Sequence, residues 1–392
     1  MINRPSKLGI IPKDWKKVKF SEVMKVRQGL QIPISKRLKH KTETSKEYIT
    51  IQSIKNTNQE REYVDNPSSR VVCDKNHVLM TRTGNTGIVV TGVEGVFHNN
   101  FFLMNFDYSI INKKFLIEYL ETTRVQHVIL TKAGASTIPD LNHKDFYSIE
   151  FPLPPLAEQI KIAEILSTWD KAIGITEQLL ANSEQQKRAL MQQLLTGQKR
   201  LKDENGNVFC GDWGKVELGS ILDYKQPTPY LVKSTNYSDE YKTPVLTAGK
   251  TFLLGYTDEN FGIYKNNLPV IIFDDFTTAT KFVDFPFKVK SSAMKILTTK
   301  NNNSIKYVYE AMQILNYSIG GHQRHWISIF SYLVINLPPL AEQQAIATVL
   351  TAADKQINSL KQQLEKLQLE KKSLMQMLLS GRIRVKLTKG TV

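Results

Sequence analysis

LPPLAEQIKIAEILSTWDKAIGITEQLLANSEQQKRALMQQLLTGQKRLK, residues 153–202, returns as LPPLAEQQAIATVLTAADKQINSLKQQLEKLQLEKKSLMQMLLSGRIRVK at residues 337–386. The two stretches align without a gap at an offset of 184 (337 − 153), and about half of their roughly 50 positions are identical. Any fold for this chain has to explain why that segment is present twice.

Each copy reads as one long helix. Pro154, Pro155 and Pro338, Pro339 disfavour helix before them, while the first helical turn tolerates proline because its missing N–H would have no partner there. Glu158 and Glu342 fall in that first turn, where negative charge suits the helix dipole. Apolar residues then step by threes and fours: Ile162, Leu166, Trp169, Ile173, Leu180, Leu190 and Leu194 in the first copy. The second carries Ile346, Leu350, Ala353, Ile357, Leu360, Leu364, Leu367, Leu374 and Leu378. This is a coiled-coil seam, with Gly197 and Gly381 as stop signals.

Some 40 residues at about 1.5 Å each make a rod of roughly 60 Å. A rod with one narrow apolar stripe needs a partner, so the two copies are expected to pair with each other. A pseudo-two-fold axis relating the halves would run them antiparallel. Lys187 and Lys371 interrupt both ladders at the same place; a lysine in a seam snorkels or sets register, and no chemistry is read into it.

The 392 residues exceed a single core. Of the net charge of +15, residues 1–152 hold +8 (23 basic, 15 acidic) and residues 213–336 hold +3 (13 and 10). A basic excess with abundant hydroxyl and amide side chains favours a polyanion, most simply nucleic acid. Cys73 and Cys210 lie far apart without metal-ligand neighbours, which suits a reduced cytoplasmic protein. No signal-peptide core and no membrane-length apolar run is present, so secretion and membrane spanning are not expected.

A smaller echo precedes each rod: Asp14-Trp15 with Val18 and Phe20 at strand spacing, then Asp212-Trp213 with Val216 and Leu218. The repeat unit is therefore a whole domain followed by a rod, with boundaries at 1–152, 153–202, 203–336 and 337–392. The rods are alike and the domains have diverged, as suits one mechanical job and two objects to be read. The fold class expected is α+β, two mixed α/β globular domains alternating with two long helices that pair as an antiparallel coiled coil.

In the first domain, Tyr48–Ile54, His77–Met80 and Ile88–Val90 read as strands, and Asn112–Leu130 as helix. The glycine-broken turn Arg82, Thr83, Asn85, Thr86 presents a guanidinium, hydroxyls and an amide, groups that bond phosphates and base edges. Lys132, Ser136 and Thr137 form a second such loop, and Lys36 and Arg37 a basic cluster. In the second domain, Val270–Phe273 reads as a buried strand running into the loop of Thr277, Thr278 and Lys281. Thr247, Lys250, Lys290 and Ser291 lie on nearby turns, and Gly320-Gly321 precedes His322, Gln323, Arg324 and His325. Lys250, Arg324 and Arg82 are the foremost single candidates for contact with nucleic acid.

Catalytic constellations fail on inspection. Gly249-Lys250-Thr251 resembles the end of a phosphate-binding loop, but the glycine required upstream is Pro244. Asn336-Leu337-Pro338-Pro339 departs from the methyltransferase signature because leucine intervenes and no aromatic follows. His322 and His325 lack a third metal ligand, and Asp274, Asp284 and Lys288 share only a spacing common by chance. No catalytic residue and no metal site is assigned.

The paired LPPLAEQ motifs at Leu153 and Leu337, the helices behind them and the domain starts at Trp15 and Trp213 resemble the specificity subunit of type I restriction-modification enzymes. The resemblance runs over essentially the whole chain. Through PVLTAGKTFLLGYTDENFGIY and VIIFDDFTTATKFVDF the second domain is similar to one recurrent type of target-recognition domain; through TRTGNTG the first resembles another. The resemblance implies that each domain reads half of a bipartite asymmetric site in double-stranded DNA through the major groove. It implies that the helices fix the gap and dock two modification subunits through the ladder of Leu166, Trp169, Ile173, Leu180, Leu190, Leu194, Leu350, Ile357, Leu364, Leu374 and Leu378. Restriction subunits would join the complex. S-adenosylmethionine, ATP and magnesium would belong to those partners and none to this chain, which would be non-catalytic. The rival classes are a self-contained nuclease or methyltransferase and a coiled-coil adaptor that binds only proteins.

Overall fold

The computed structural model describes residues 11–56, 58–134, 137–247, 251–316 and 325–387. Two compact units divide the chain: Met1–Thr176 with Gln363–Val392, and Glu177–Gln362. The main helices, in chain order, are α1 (Lys113–Glu121), α2 (Thr123–Ala133), α3 (Leu156–Leu195), α4 (Ile305–Gln313) and α5 (Leu340–Leu379). Each unit therefore contains part of both long helices. No helix among the described residues is long and apolar enough to cross a membrane.

The helix ends follow from local chemistry. The Pro155 carbonyl accepts the N–H groups of Glu158 and Gln159, and Pro339 does the same for Glu342 and Gln343. At the far ends Gly197 and Gly381 take φ of 76° and 72°, a left-handed turn open to glycine without strain. Across that turn Lys199 N–H reaches the Gln193 carbonyl, and Ile383 N–H that of Met377.

Within each unit the two helices run antiparallel. In the first, Glu158 meets Arg384 and Asp170 meets Lys371; in the second, Arg200 meets Glu342 and Lys187 meets Asp354. The apolar ladder changes its role along the way. Ile162, Leu166, Leu378 and Leu379 join Trp15, Phe20, Phe102, Phe115 and Phe151 in the core of the first unit. Leu194, Ile346 and Leu350 join Leu218, Phe273, Tyr307 and Trp326 in that of the second. Trp169, Ile173, Leu180, Leu190, Leu364 and Leu374 are only half-buried, while Ile357 is buried. Each helix end is thus as much a part of a domain core as of a coiled coil.

The two domains share a topology. A four-stranded antiparallel sheet in the first unit has the spatial order Met24–Gln28, Phe101–Phe106, Val78–Thr81, Val89–Thr91. Its counterpart has the order Leu222–Lys225, Met294–Thr299, Val270–Asp274, Thr280–Val283. In each unit a two-stranded ribbon ties the domain to the head of its helix: Lys16–Lys19 pairs with Glu150–Leu153, and Gly214–Glu217 with Val334–Leu337. A further sheet in the first unit pairs Lys46–Ile49 in parallel with Gly95–Phe97.

Two local expectations need correction. The run Tyr48–Ile54 is strand only to Ile49; Thr50 then caps a short helix, Ile51–Lys55, by accepting Ser53 N–H while Ser53 Oγ accepts Thr50 N–H. Asn112–Leu130 is two helices, because Thr122 is extended and its hydroxyl caps α2.

Lys187 and Lys371 do more than snorkel. Lys371 Nζ lies 2.6 Å from Asp170 and 3.2 Å from Glu118 on α1; Lys187 Nζ lies 2.6 Å from Asp354 and 3.1 Å from Glu310 on α4. Lys306 closes the second cluster at 2.6 Å from Glu310 and 2.7 Å from Asp354. Each lysine therefore joins the two long helices to a domain helix. Burial works against the charge of Lys371, but the Asp170 hydrogen bond and the Glu118 charge hold its pKa above the usual lysine value. Burial pushes the Glu118 carboxyl upward, against the pull of Lys371.

Replacing Lys371 by alanine leaves Glu118, 3% exposed, without its cation and is expected to cost about 3 kcal/mol at pH 8. Because burial raises the folded-state pKa of Glu118, the loss grows as pH rises through that value and is smaller at pH 5 than at pH 8. Urea melts of K371A at the two pH values check this; wild-type stability at pH 8 contradicts the cluster's role.

Candidate nucleic-acid interface

The frame beneath the candidate loops is built from the LPPLAEQ residues. Glu158 and Glu342 are buried, and each carboxylate is clasped by an arginine and an indole. Trp15 Nε1 donates to Glu158 at 2.9 Å and Arg384 binds it in bidentate fashion at 2.7 and 2.8 Å. Trp213 Nε1 donates to Glu342 at 3.0 Å and Arg200 binds it at 2.6 and 2.7 Å. Gln159 and Gln343 follow. Gln159 Nε2 donates to the Ile110 and Pro154 carbonyls while its oxygen accepts Asn112 N–H at the start of α1. Gln343 holds Pro338, Asn303 and Ser304 N–H in the same way at α4.

On this frame the first domain brings two of the candidate loops together. Arg82 Nη2 donates to Asp140 at 2.9 Å, its Nε to the Leu141 carbonyl at 3.3 Å, and its guanidinium lies 5.3 Å from the Phe102 ring centroid. Thr83 Oγ1 donates to Asp140 at 2.5 Å. The Thr86 hydroxyl is buried 2.9 Å from both the Arg82 and Pro139 carbonyls. Lys132 is held by Ser148 Oγ at 2.7 Å. These four side chains brace the surface, while Lys36, Asn85 and Thr137 are exposed upon it.

Arg37 is committed as well: Nη1 donates to Glu62 at 2.7 Å, and Nε and Nη2 reach the Ile32 carbonyl at 3.2 and 3.1 Å. It forms one wall of a cleft of about 380 Å³ that also takes in Thr83 and Asn85. Gln52, Gln59, His98 and Asn100 line the same cleft, and none of them stood out in the sequence. Reading Thr50 to Ser53 as a helix cap would have placed Gln52 on an exposed first turn.

In the second domain Thr277 Oγ1 donates to Asp274 at 2.6 Å, and the same carboxylate accepts Phe276 N–H at 3.0 Å. Thr278 is buried, at φ 59°, and supports the loop from inside. His325 is also buried, 1% exposed, its backbone N–H on the Asp275 carbonyl; it is a core side chain and not the exposed contact that its place among the candidates predicts. Lys281 and Lys290 are exposed, Ser291 Oγ accepts Ala293 N–H, and Thr247 N–H pairs with the Phe252 carbonyl. Ser136, Lys250, His322, Gln323 and Arg324 lie outside the described residues.

Lys288, fully buried, is bound by Glu259 at 3.0 Å and by the Phe261 carbonyl at 2.7 Å, and so braces a loop. Among the described residues no three His, Cys, Asp or Glu side chains gather as metal ligands. Burial pushes the Cys73 thiol up to about 11.

A family model described as the type I restriction modification DNA specificity domain matches residues 12–185 and 211–369. The chain is 55% identical over 128 residues to the specificity subunit of the type I restriction enzyme EcoR124I/EcoR124II of Escherichia coli, covering 31% of this chain and 32% of that one. The match thus spans about a third of that relative's length. It is 23% identical to the MjaVIII specificity subunit of Methanocaldococcus jannaschii, across 96% of this chain and 94% of the relative. A crystal structure of the S subunit from M. genitalium superposes with a TM-score of 0.65 at 16% identity, covering 98% of this chain and 100% of the other. That likeness is one of fold.

Asp140→Ala releases both Arg82 and Thr83. Amide hydrogen exchange in residues 82–87 is expected to speed up, while the unfolding free energy changes by only about 0–1 kcal/mol because the ion pair is partly exposed. Unchanged exchange in that loop contradicts the bracing role.

Proposed function

We propose that this chain, which belongs to the family of type I restriction-modification DNA specificity domains, is the sequence-reading subunit of such a complex. Each globular domain reads one half of a bipartite, asymmetric site in the major groove of double-stranded DNA, and the paired helices set the gap between the halves. The observation that carries this reading is the pairing of identical attachment with different loops. The Glu–Arg–Trp clasp, the lysine cluster and the sheet order recur in both units, whereas Arg82–Thr86 and Asp274–Lys281 have little in common.

Two half-site readers on one chain gain affinity through effective concentration, and only when the spacing is right. Exposed lysines such as Lys36, Lys281 and Lys290 supply phosphate contacts and hence salt-dependent affinity, and loop amides and hydroxyls supply base contacts. The helices also dock two modification subunits, to which restriction subunits add. S-adenosylmethionine, ATP and magnesium serve those partners in the cytoplasm, and this chain contributes no catalytic group.

The experiment that tests the reading is a map of modified bases in the source cell with and without this gene. Loss of methyl-adenine at one two-part motif is expected; unchanged methylation together with no DNA binding by the purified complex refutes it. Exchanging residues 16–150 for another such domain is expected to alter one half-site only, and a change in both refutes independent reading. Deleting one heptad from a helix is expected to change the preferred gap or abolish assembly with both half-sites intact. Lys281→Ala is expected to weaken binding about equally on all sequences and to lower the salt slope by about 1.

A further inference from the structure

The cleft of the first domain is unusual in what it leaves uncommitted. Its cation, Arg37, is neutralised by Glu62, whose other oxygen is held by Lys39 at 2.8 Å. Those two contacts keep the Glu62 carboxyl below its ordinary range, Lys39 being the stronger influence. A phosphate entering here would meet a cation already paired with a carboxylate. The rest of the lining is different: among the described residues no hydrogen bond engages the side-chain amides of Gln52, Gln59, Asn85 or Asn100.

Their convergence is a product of the fold. Gln52 stands on the first turn of the helix Ile51–Lys55, which directly follows the strand Lys46–Ile49. That strand pairs in parallel with Gly95–Phe97, which leads to His98 and Asn100. Asn85 comes from the glycine-broken turn braced by Asp140. His98 Nδ1 accepts Asn100 N–H at 3.0 Å, and burial with the nearby Arg37 charge lowers its pKa. The imidazole is therefore neutral with its proton on Nε2, a donor at the cleft wall.

An amide presents a donor and an acceptor side by side, the complement of adenine N7 and N6 in the major groove. We propose that this cleft is the base-reading site of the first domain and that an amide among Gln52, Asn85 and Asn100 reads an adenine edge there, with His98 donating to a neighbouring acceptor. The inference rests on the sequence-reading role proposed above and names the residues and the base that carry it in one half-site.

The test uses the full chain purified with its modification partners, and selection from a randomised duplex pool. Wild type is expected to enrich a two-part motif, and failure to do so sinks the sequence-reading role itself. Gln52→Ala, Asn85→Ala and Asn100→Ala are each assayed. At least one is expected to relax preference at an adenine of one half-site by about tenfold, leaving the other half-site and the salt slope unchanged.

Retention of the second half-site shows that the variant is folded. The matching acidic variant, Q52E, N85D or N100D, is expected to turn that preference from adenine to cytosine, whose N4 amine donates to a carboxylate. Duplexes with 7-deazaadenine at that position are expected to bind wild type more weakly and the alanine variant no differently from adenine. An unchanged motif in all three variants overturns the cleft's role, as does a uniform loss of affinity with a shallower salt slope, which marks phosphate contact.

Discussion

A buried carboxylate gripped by an arginine and an indole is the constraint on which each unit depends. Glu158 joins three stretches of chain: its own helix start, Trp15 143 positions earlier, and Arg384 226 positions later. Glu342 does the same with Trp213 and Arg200. A carboxylate with no access to water is tolerable only while its partners stay in place, so loss of any one leaves an uncompensated charge or an unmatched donor. Such a contact excludes alternative registers of the two helices, because a slip of one residue would bury the glutamate alone. Lys187 and Lys371 repeat the principle one level up, where each helix pair meets a domain helix.

With the frame held in this way, the outer edges of the sheets are released from structural duty. Arg82, Thr83 and Thr86 close a loop by bonding to Asp140 and Pro139, and Lys288 and Asp274 close others. Each loop carries its own internal bracing, so its exposed positions are not needed by the core below. Asn85 and Lys281 can change identity at little cost in stability, and the two domains keep one topology on different surfaces.

What was legible in the sequence was whatever local backbone chemistry dictates. Paired prolines, glycine stops and a three-four apolar step mark α3 and α5 without reference to anything distant. The repeat made antiparallel pairing legible as well, since symmetry leaves each segment facing its counterpart. The partners of Glu158, Gln159 and Lys371 were not legible, because they come from residues far away in the chain. Tyr48–Ile54 reads as strand throughout because its apolar residues suit strand and helix alike, and the Thr50–Ser53 cap decides between them. The amides of the cleft carry no periodicity at all. Gln52 and Asn100 meet only because two strands pair in parallel, and His325 and Thr278 looked like surface groups because polar residues usually are.

The order of the chain imposes an order of assembly. The second unit, 177–362, is contiguous, whereas the first needs Leu378, Leu379 and Arg384 to complete its core and its clasp. During synthesis the domain of the first unit emerges before the second unit yet lacks one wall until residues 378–384 are made. At roughly 5–20 residues per second, the unit begun earlier waits some 10 seconds or more after its domain is complete. Through that interval the core of the first unit lacks Leu378 and Leu379, so the first unit is the one exposed to misassociation while the second closes ahead of it.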